Sequence, residues 1–182
     1  MGQRPRQAGS SARLTGMDPY QTIISKRDTR QYTDEPIDDA VMRRVLQAGR
    51  MAGSAKNEEL NRLIVFRDKA VLDGLADAGE FSSWIGASAA VIGIAAPSAG
   101  VRMFDVGRMA QNMMVAAHSE GLGSCPVTLH HQDRARQVAG LPDDWEMTMV
   151  VTLGWPVPDA APSPLRRPRV ALDELVRYDR WS

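Results

Sequence analysis

The feature that most constrains this chain is the stretch 101–120, whose apolar residues leave little polar face for water. Val106, Met109, Ala110, Met113, Ala116 and Ala117 recur at the spacing of one helical stripe, and Met103, Phe104, Met114 and Val115 widen it over most of the circumference. A helix of this kind must be covered on nearly every side. In a chain of 182 residues a second subunit is a natural source of part of that cover. Gly121 and Gly123 supply the stop.

The elements around this helix follow from caps and periodicity. Asp18-Pro19 reads as an N-cap with proline at the first helical position, opening a short helix to about Lys26. Residues 27–32 leave that helix, Pro36 breaks the chain, and Asp38 caps a second helix that carries Val41, Val45 and Leu46 and ends near Gly53. Leu63-Ile64-Val65-Phe66 reads as a strand, residues 69–78 as a helix, and the unalternating apolar run 89–95 as a strand buried on both faces. A short helix near 133–139 and a strand at 146–153 complete the core, and the Pro-rich stretch 156–168 reads as an extended arm lying on a neighbour. Helices and strands mix without strict alternation, so the expected class is α+β with a central sheet and flanking helices.

Charge and cysteine usage narrow the function classes. Lys plus Arg (22) equals Asp plus Glu (22), so there is no global field for a nucleic-acid backbone or an anionic membrane, and any anion site must be local. The lone Cys125 cannot form an internal disulfide and suits a reducing, cytoplasmic setting. Residues 1–16 carry Arg4, Arg6 and Arg13 and no acid, and are expected to be a disordered basic tail before a domain spanning 17–182. No apolar run reaches membrane-spanning length.

Several chemistries lack their motifs. There is no G-x-x-x-x-G-K-[ST], and Gly121-Leu122-Gly123 follows a helix and lacks a third glycine, which argues against phosphate-loop and dinucleotide folds. No metal site is expected, because Cys125 has no cysteine partner and the adjacent His130-His131 aim their rings apart. His118 reads as an ordinary helix residue, and no nucleophile elbow is present. What stands out is basic charge at two distant places, Lys26-Arg27 with Arg30 and Arg166-Arg167 with Arg169. Guanidinium forks match the oxygens of a phosphate monoester, although arginines in loops are also ordinary solvated surface.

A family resemblance connects these pieces. Ile24-Ser25-Lys26-Arg27-Asp28-Thr29-Arg30-Gln31-Tyr32, with Glu35-Pro36-Ile37 after it, resembles the segment that opens nitroreductase-family proteins. Ala52-Gly53-Ser54-Ala55-Lys56-Asn57 resembles that family's Ala-Pro-Ser-x-x-Asn loop, and Asp105 to Met114 followed by Gly121-Leu122-Gly123-Ser124-Cys125 resembles its central dimer helix and the loop after it. Gly154-Trp155-Pro156 and Arg167-Pro168-Arg169 leading to Leu172-Asp173-Glu174-Leu175-Val176 resemble the end of the last strand and the closing arm.

The resemblance implies a three-layer sandwich with a mixed, mostly antiparallel central sheet, and a homodimer that exchanges its C-terminal arm and binds FMN at the subunit interface. It puts Lys26, Arg27, Asp28 and Arg30 at a first phosphate segment, Arg167 and Arg169 at a second, and Asn57 at the flavin's polar edge. Pro126, Val127 and Thr128 fall where backbone passes the isoalloxazine ring, with an N–H in reach of N5. No catalytic side chain is implied beyond support from Lys56 and Thr128. The implied activity is ping-pong hydride transfer from NADH or NADPH to a nitroaromatic, quinone or similar small-molecule acceptor.

Two departures open alternatives. Asp28 replaces the common serine, as in flavin-consuming dimethylbenzimidazole synthases, and is expected to sit near the phosphate or to orient Arg27 or Arg30. Glu59-Leu60-Asn61 stands where Gln-Pro-Trp is common. An FMN-binding or sensory protein with little turnover is the other reading.

Overall fold

The computed structural model describes residues 18–100, 102–160 and 167–181. The expected basic tail at 1–16 and Arg166 lie outside the described residues. Helix α1 (Pro19–Ser25) is followed by α2 (Asp39–Arg50), β1 (Arg62–Phe66), α3 (Lys69–Ala76), β2 (Ala90–Pro97), α4 (Met103–Ser119), β3 (Gly123–Thr128), α5 (Gln132–Ala139), β4 (Trp145–Gly154) and α6 (Leu172–Leu175). Short 3-10 turns occupy Ala55–Asn57 and Ser83–Ala87. Asp38 accepts from the Ala40 N–H and Asp68 from those of Ala70 and Val71, so two helices start where a side chain satisfies their first free donors.

The strands form one sheet in the order β1-β2-β4-β3, every neighbouring pair antiparallel. The parallel component expected of a mixed sheet is reduced to an isolated bridge between Asp28 and Ser124. Alternate residues of β2 separate two cores. Ala90, Ile92 and Ile94 face α2 and α4 together with Val45, Val106, Ala110 and Met113, whereas Val91 and Ala95 face α3 and α5 together with Leu72, Leu75 and Ala135. The result is a three-layer α+β sandwich with β2 and β4 buried at its centre.

Helix α4 meets the sequence expectation over Met103–Ser119 and is stopped by Gly121 at φ +85°. Its inner side, including Val106, Ala110, Met113 and Ala117, is buried by the chain itself, while Met103 and Phe104 stay exposed. Two segments differ from the sequence reading: Leu172–Leu175 of the closing arm forms the short helix α6, and Gly123–Thr128, whose first residues resemble the loop after the long helix, forms β3. Gly-Ser-Cys-Pro is poor in strand-forming residues, and Pro126 reads as a breaker; on an edge strand its missing N–H removes no ladder bond.

Candidate functional site

Helix α1 stops because Lys26 adopts φ −56° and ψ 134°, although its N–H still reaches Thr22 O. The chain then runs along the open edge of β3. Asp28 bridges Ser124, the Thr29 N–H donates to Ser124 O at 2.9 Å, and the Thr33 N–H donates to Trp155 O at 2.8 Å. Tyr32 locks this edge from beneath, its hydroxyl 2.8 Å from Thr152 Oγ1 and also donating to Thr29 O. Burial holds its phenol well above the usual range. The approach depends on absent side chains: a Cβ at Gly123 would lie 2.8 Å from Thr29 Cβ, and one at Gly154 would lie 2.7 Å from the Tyr32 ring.

Three cations follow α1 within five residues. Lys26 Nζ lies 2.5 Å from Asp28 Oδ1 and 3.5 Å from Met114 Sδ, so the acid pairs with Lys26 and not with Arg27 or Arg30, the partners expected from sequence. Arg27 folds back on Ile24 O and Lys26 O, both at 2.7 Å, capping the helix carbonyls. Arg30 stacks on Trp84 with its Cζ 5.0 Å from the ring centroid. Neither arginine pairs with an acid among the described residues. Ser124 Oγ and Trp84 Nε1 are buried beside them without a hydrogen-bond partner. His118 Nε2 sits 3.0 Å from Ser25 Oγ, and its pKa is lowered by burial and then by Lys26 and Arg27.

On β3, the Leu129 N–H donates inward to Thr148 O at 2.9 Å. Backbone direction alternates along a strand, so residues 124, 126 and 128 face the open edge. Pro126 has no N–H, which leaves the Thr128 N–H at that edge. Val127 is buried and Thr128 exposed. Cys125 is fully buried and its thiol is pushed up to about 11 by burial, which keeps it from acting as a thiolate. Beside the Thr128 end lies an open groove of about 720 Å³ lined by Asp73, Asp77, Glu80, Phe81 and Trp84 among others.

The loop after α2 is the second candidate region. Lys56, Asn57 and Glu59 all adopt left-handed backbone, with φ of 54°, 55° and 47°. Such strain costs about 1–3 kcal/mol per residue and collects at ligand sites. The Ala55 N–H donates to Asp105 Oδ2 at 2.9 Å, Arg102 donates to Ala55 O at 3.0 Å and pairs with Glu58 at 2.8 Å, and Arg62 donates to Glu59 O at 2.8 Å. The unusual Glu59-Leu60-Asn61 stretch is therefore wrapped on Arg62.

The predicted residues do not all converge within one chain. Lys26 and Ser25 contact Met114 and His118 near the end of α4, whereas the Lys56-Asn57 loop hangs from Arg102 and Asp105 at its start. At about 1.5 Å per residue these regions are roughly 20 Å apart. Arg167 and Arg169 are exposed and bond to no described residue. Ser124, Trp84, Arg102 and Asp105 were not singled out as site residues from sequence. Asp105 had one usable signal, an acid in the first turn of a helix, while nothing local marks the other three.

Comparison with known proteins identifies the family and the fold. The sequence model of the Nitroreductase family matches residues 23–81 and 92–155. A provisionally named NADH dehydrogenase/NAD(P)H nitroreductase of Archaeoglobus fulgidus is 29% identical over 144 residues, covering 74% of this chain and 83% of the relative. Nitroreductase A of Vibrio parahaemolyticus superposes with a TM-score of 0.78 at 24% identity, over 92% of this chain and 78% of that one. The NADPH:FMN oxidoreductase of Vibrio harveyi, solved with NAD+, gives a TM-score of 0.77 at 22% identity, over 90% and 78%.

Proposed function

The chain belongs to the nitroreductase family, and on that premise we propose that it is an FMN-dependent oxidoreductase taking hydride from NADH or NADPH and passing it to nitroaromatic, quinone or similar acceptors. Membership itself supports a general oxidoreductase role. The observation that carries the finer reading is the segment 26–30, held against the β3 edge with Arg27 and Arg30 free of acidic partners and Ser124 Oγ unpartnered beneath it. That donor set suits a phosphate monoester in charge and geometry. The flavin's name in the Vibrio harveyi relative points the same way.

FMN, when bound, supplies the two-electron carrier that no side chain here provides. Arg27 and Arg30 would hold its phosphate, with Lys26 kept beside it by Asp28. Asn57 would hydrogen-bond the polar edge of the ring, and Lys56 with the arginines would offset the negative charge of the reduced group. The Thr128 N–H on the open edge, after Pro126 and Val127, would serve the N5 side.

The separation along α4 makes a homodimer part of this reading. The phosphate segment of one chain and the Lys56-Asn57 loop of another complete a site that one chain cannot. Exposed Val170, Leu172, Leu175, Tyr178 and Trp181 on the C-terminal arm give the partner an apolar surface to bury and carry Arg167 and Arg169 across with them. The visible absorbance spectrum with added FMN, followed anaerobically by NADPH and NADH, tests the reading. Flavin bands that bleach with nicotinamide support it; bands that persist favour a binding protein without turnover, and absence of flavin uptake sinks it.

A further inference from the structure

Lys56, Asn57 and Glu59 hold left-handed backbone, yet their side chains are exposed, so packing within the chain does not explain the conformation. The loop closes on itself through the Asn57 N–H to Ser54 O and the Glu59 N–H to Ser54 Oγ, both at 3.1 Å, and what ties it to the rest of the chain is a set of bonds from the start of α4. Asp105 is buried, only 6% exposed, and its one described hydrogen bond accepts the Ala55 N–H immediately before the strained residues. Arg102 closes the other side, donating to Ala55 O at 3.0 Å and to Glu58 Oε2 at 2.8 Å. Ala55 is thus held through both its N–H and its C=O by the start of a helix that is itself packed into the core through Val106, Ala110 and Met113. The carboxylate also lies in the first turn of α4, where the helix dipole favours a negative charge.

We propose that Asp105 and Arg102 are positioning residues for the cofactor, forming a clamp that keeps loop 55–59 in the left-handed conformation that presents Lys56 and Asn57 to the flavin. This rests on the flavin reading above. The clamp touches neither cofactor nor substrate and acts through the loop. It makes cofactor affinity depend on a buried carboxylate outside the binding surface. Because Lys56 lies in the held loop, its distance from the reduced flavin, and hence the flavin's midpoint potential, depends on the clamp as well.

The test compares wild type with Asp105→Ala, Asp105→Asn and Arg102→Gln in the full chain. FMN affinity is read by quenching of flavin fluorescence, the midpoint potential of bound flavin by redox titration, and folding by thermal melts of the flavin-free protein. Asp105→Ala is expected to weaken FMN binding about ten- to hundredfold, in keeping with loss of a charge-assisted bond. Asp105→Asn keeps an oxygen acceptor for the Ala55 N–H and is expected to recover most of that loss. Arg102→Gln is expected to weaken binding about three- to tenfold. Both Asp105→Ala and Arg102→Gln should lower the midpoint potential, since a released Lys56 stabilises the reduced flavin less.

Unchanged affinity and potential in folded Asp105→Ala and Arg102→Gln overturn the clamp, as does Asp105→Asn behaving like Asp105→Ala. If Asp105→Ala does not fold, Arg102→Gln decides, because Arg102 is 34% exposed and outside the core. Wild type that takes up no FMN overturns the flavin reading and the clamp together, whereas flavin-binding wild type with indifferent variants overturns the clamp alone.

Discussion

Arg27 and Arg30 differ from Lys26 in what they have left to offer. Lys26 is committed to Asp28, whereas the two arginines are held by backbone carbonyls and by the Trp84 ring, neither of which neutralises charge. Replacing Arg27 or Arg169 by alanine is expected to weaken FMN binding about ten- to hundredfold, measured by fluorescence titration. Riboflavin affinity should change little, because riboflavin lacks the phosphate. Cys125 makes a second prediction. Its thiol titrates near 11 in the folded protein against 9.0 ordinarily, so the folded state holds the proton more tightly than the unfolded state does. Its contribution to stability is complete below pH 9 and is lost as the pH rises towards 11. Melting temperature should fall over that window more steeply in wild type than in Cys125→Ala, and parallel slopes would remove Cys125 as the cause.

Between residue and fold lies the edge formed by residues 27–33, β3 and the end of β4. It is held by backbone bonds and by close approach at glycines, with little side-chain burial beyond Tyr32. Gly123→Ala would push a methyl group into Thr29 and is expected to destabilise the protein by about 1–3 kcal/mol in chemical denaturation, the range for overpacking. Segment 26–30 should loosen with it, and on the proposed function FMN affinity should fall too. This edge was only partly legible in the sequence. The apolar, β-branched runs of β1, β2 and β4 announce strands, whereas Gly-Ser-Cys-Pro-Val-Thr is a strand because Thr29 and β4 flank it.

Over the whole molecule, α4 acts as a ruler. It buries one side against the sheet and α2, and its two ends carry the two candidate regions, roughly 20 Å apart by helix geometry. The exposed arm repeats apolar residues at Leu172, Leu175, Tyr178 and Trp181, and the hydrogen bonds it makes among the described residues are internal to it. On the proposed FMN-binding homodimer, a Leu172→Glu/Leu175→Glu double variant is expected to sediment as a monomer and to lose FMN affinity while keeping its far-ultraviolet circular dichroism. A monomer that still binds FMN at wild-type strength would show that one chain suffices.

By itself the sequence determined most of the element order, though neither β3 nor α6, together with the buried central strand β2, the over-apolar α4 and the family. These depend on periodicity, caps and motif order, which are local or repeated along the chain. Only the tertiary structure decided that residues 123–128 are a strand, that Asp28 pairs with Lys26, that Arg30 stacks on Trp84, and that Asp105 holds the loop at Ala55. Each of these pairings depends on direction and distance in space. The first, third and fourth join residues far apart in sequence, and Lys26 and Asp28, two apart, meet only because the chain leaves α1 and runs along β3. Local pattern sets which segments can be helix or strand, and packing sets which side chains meet.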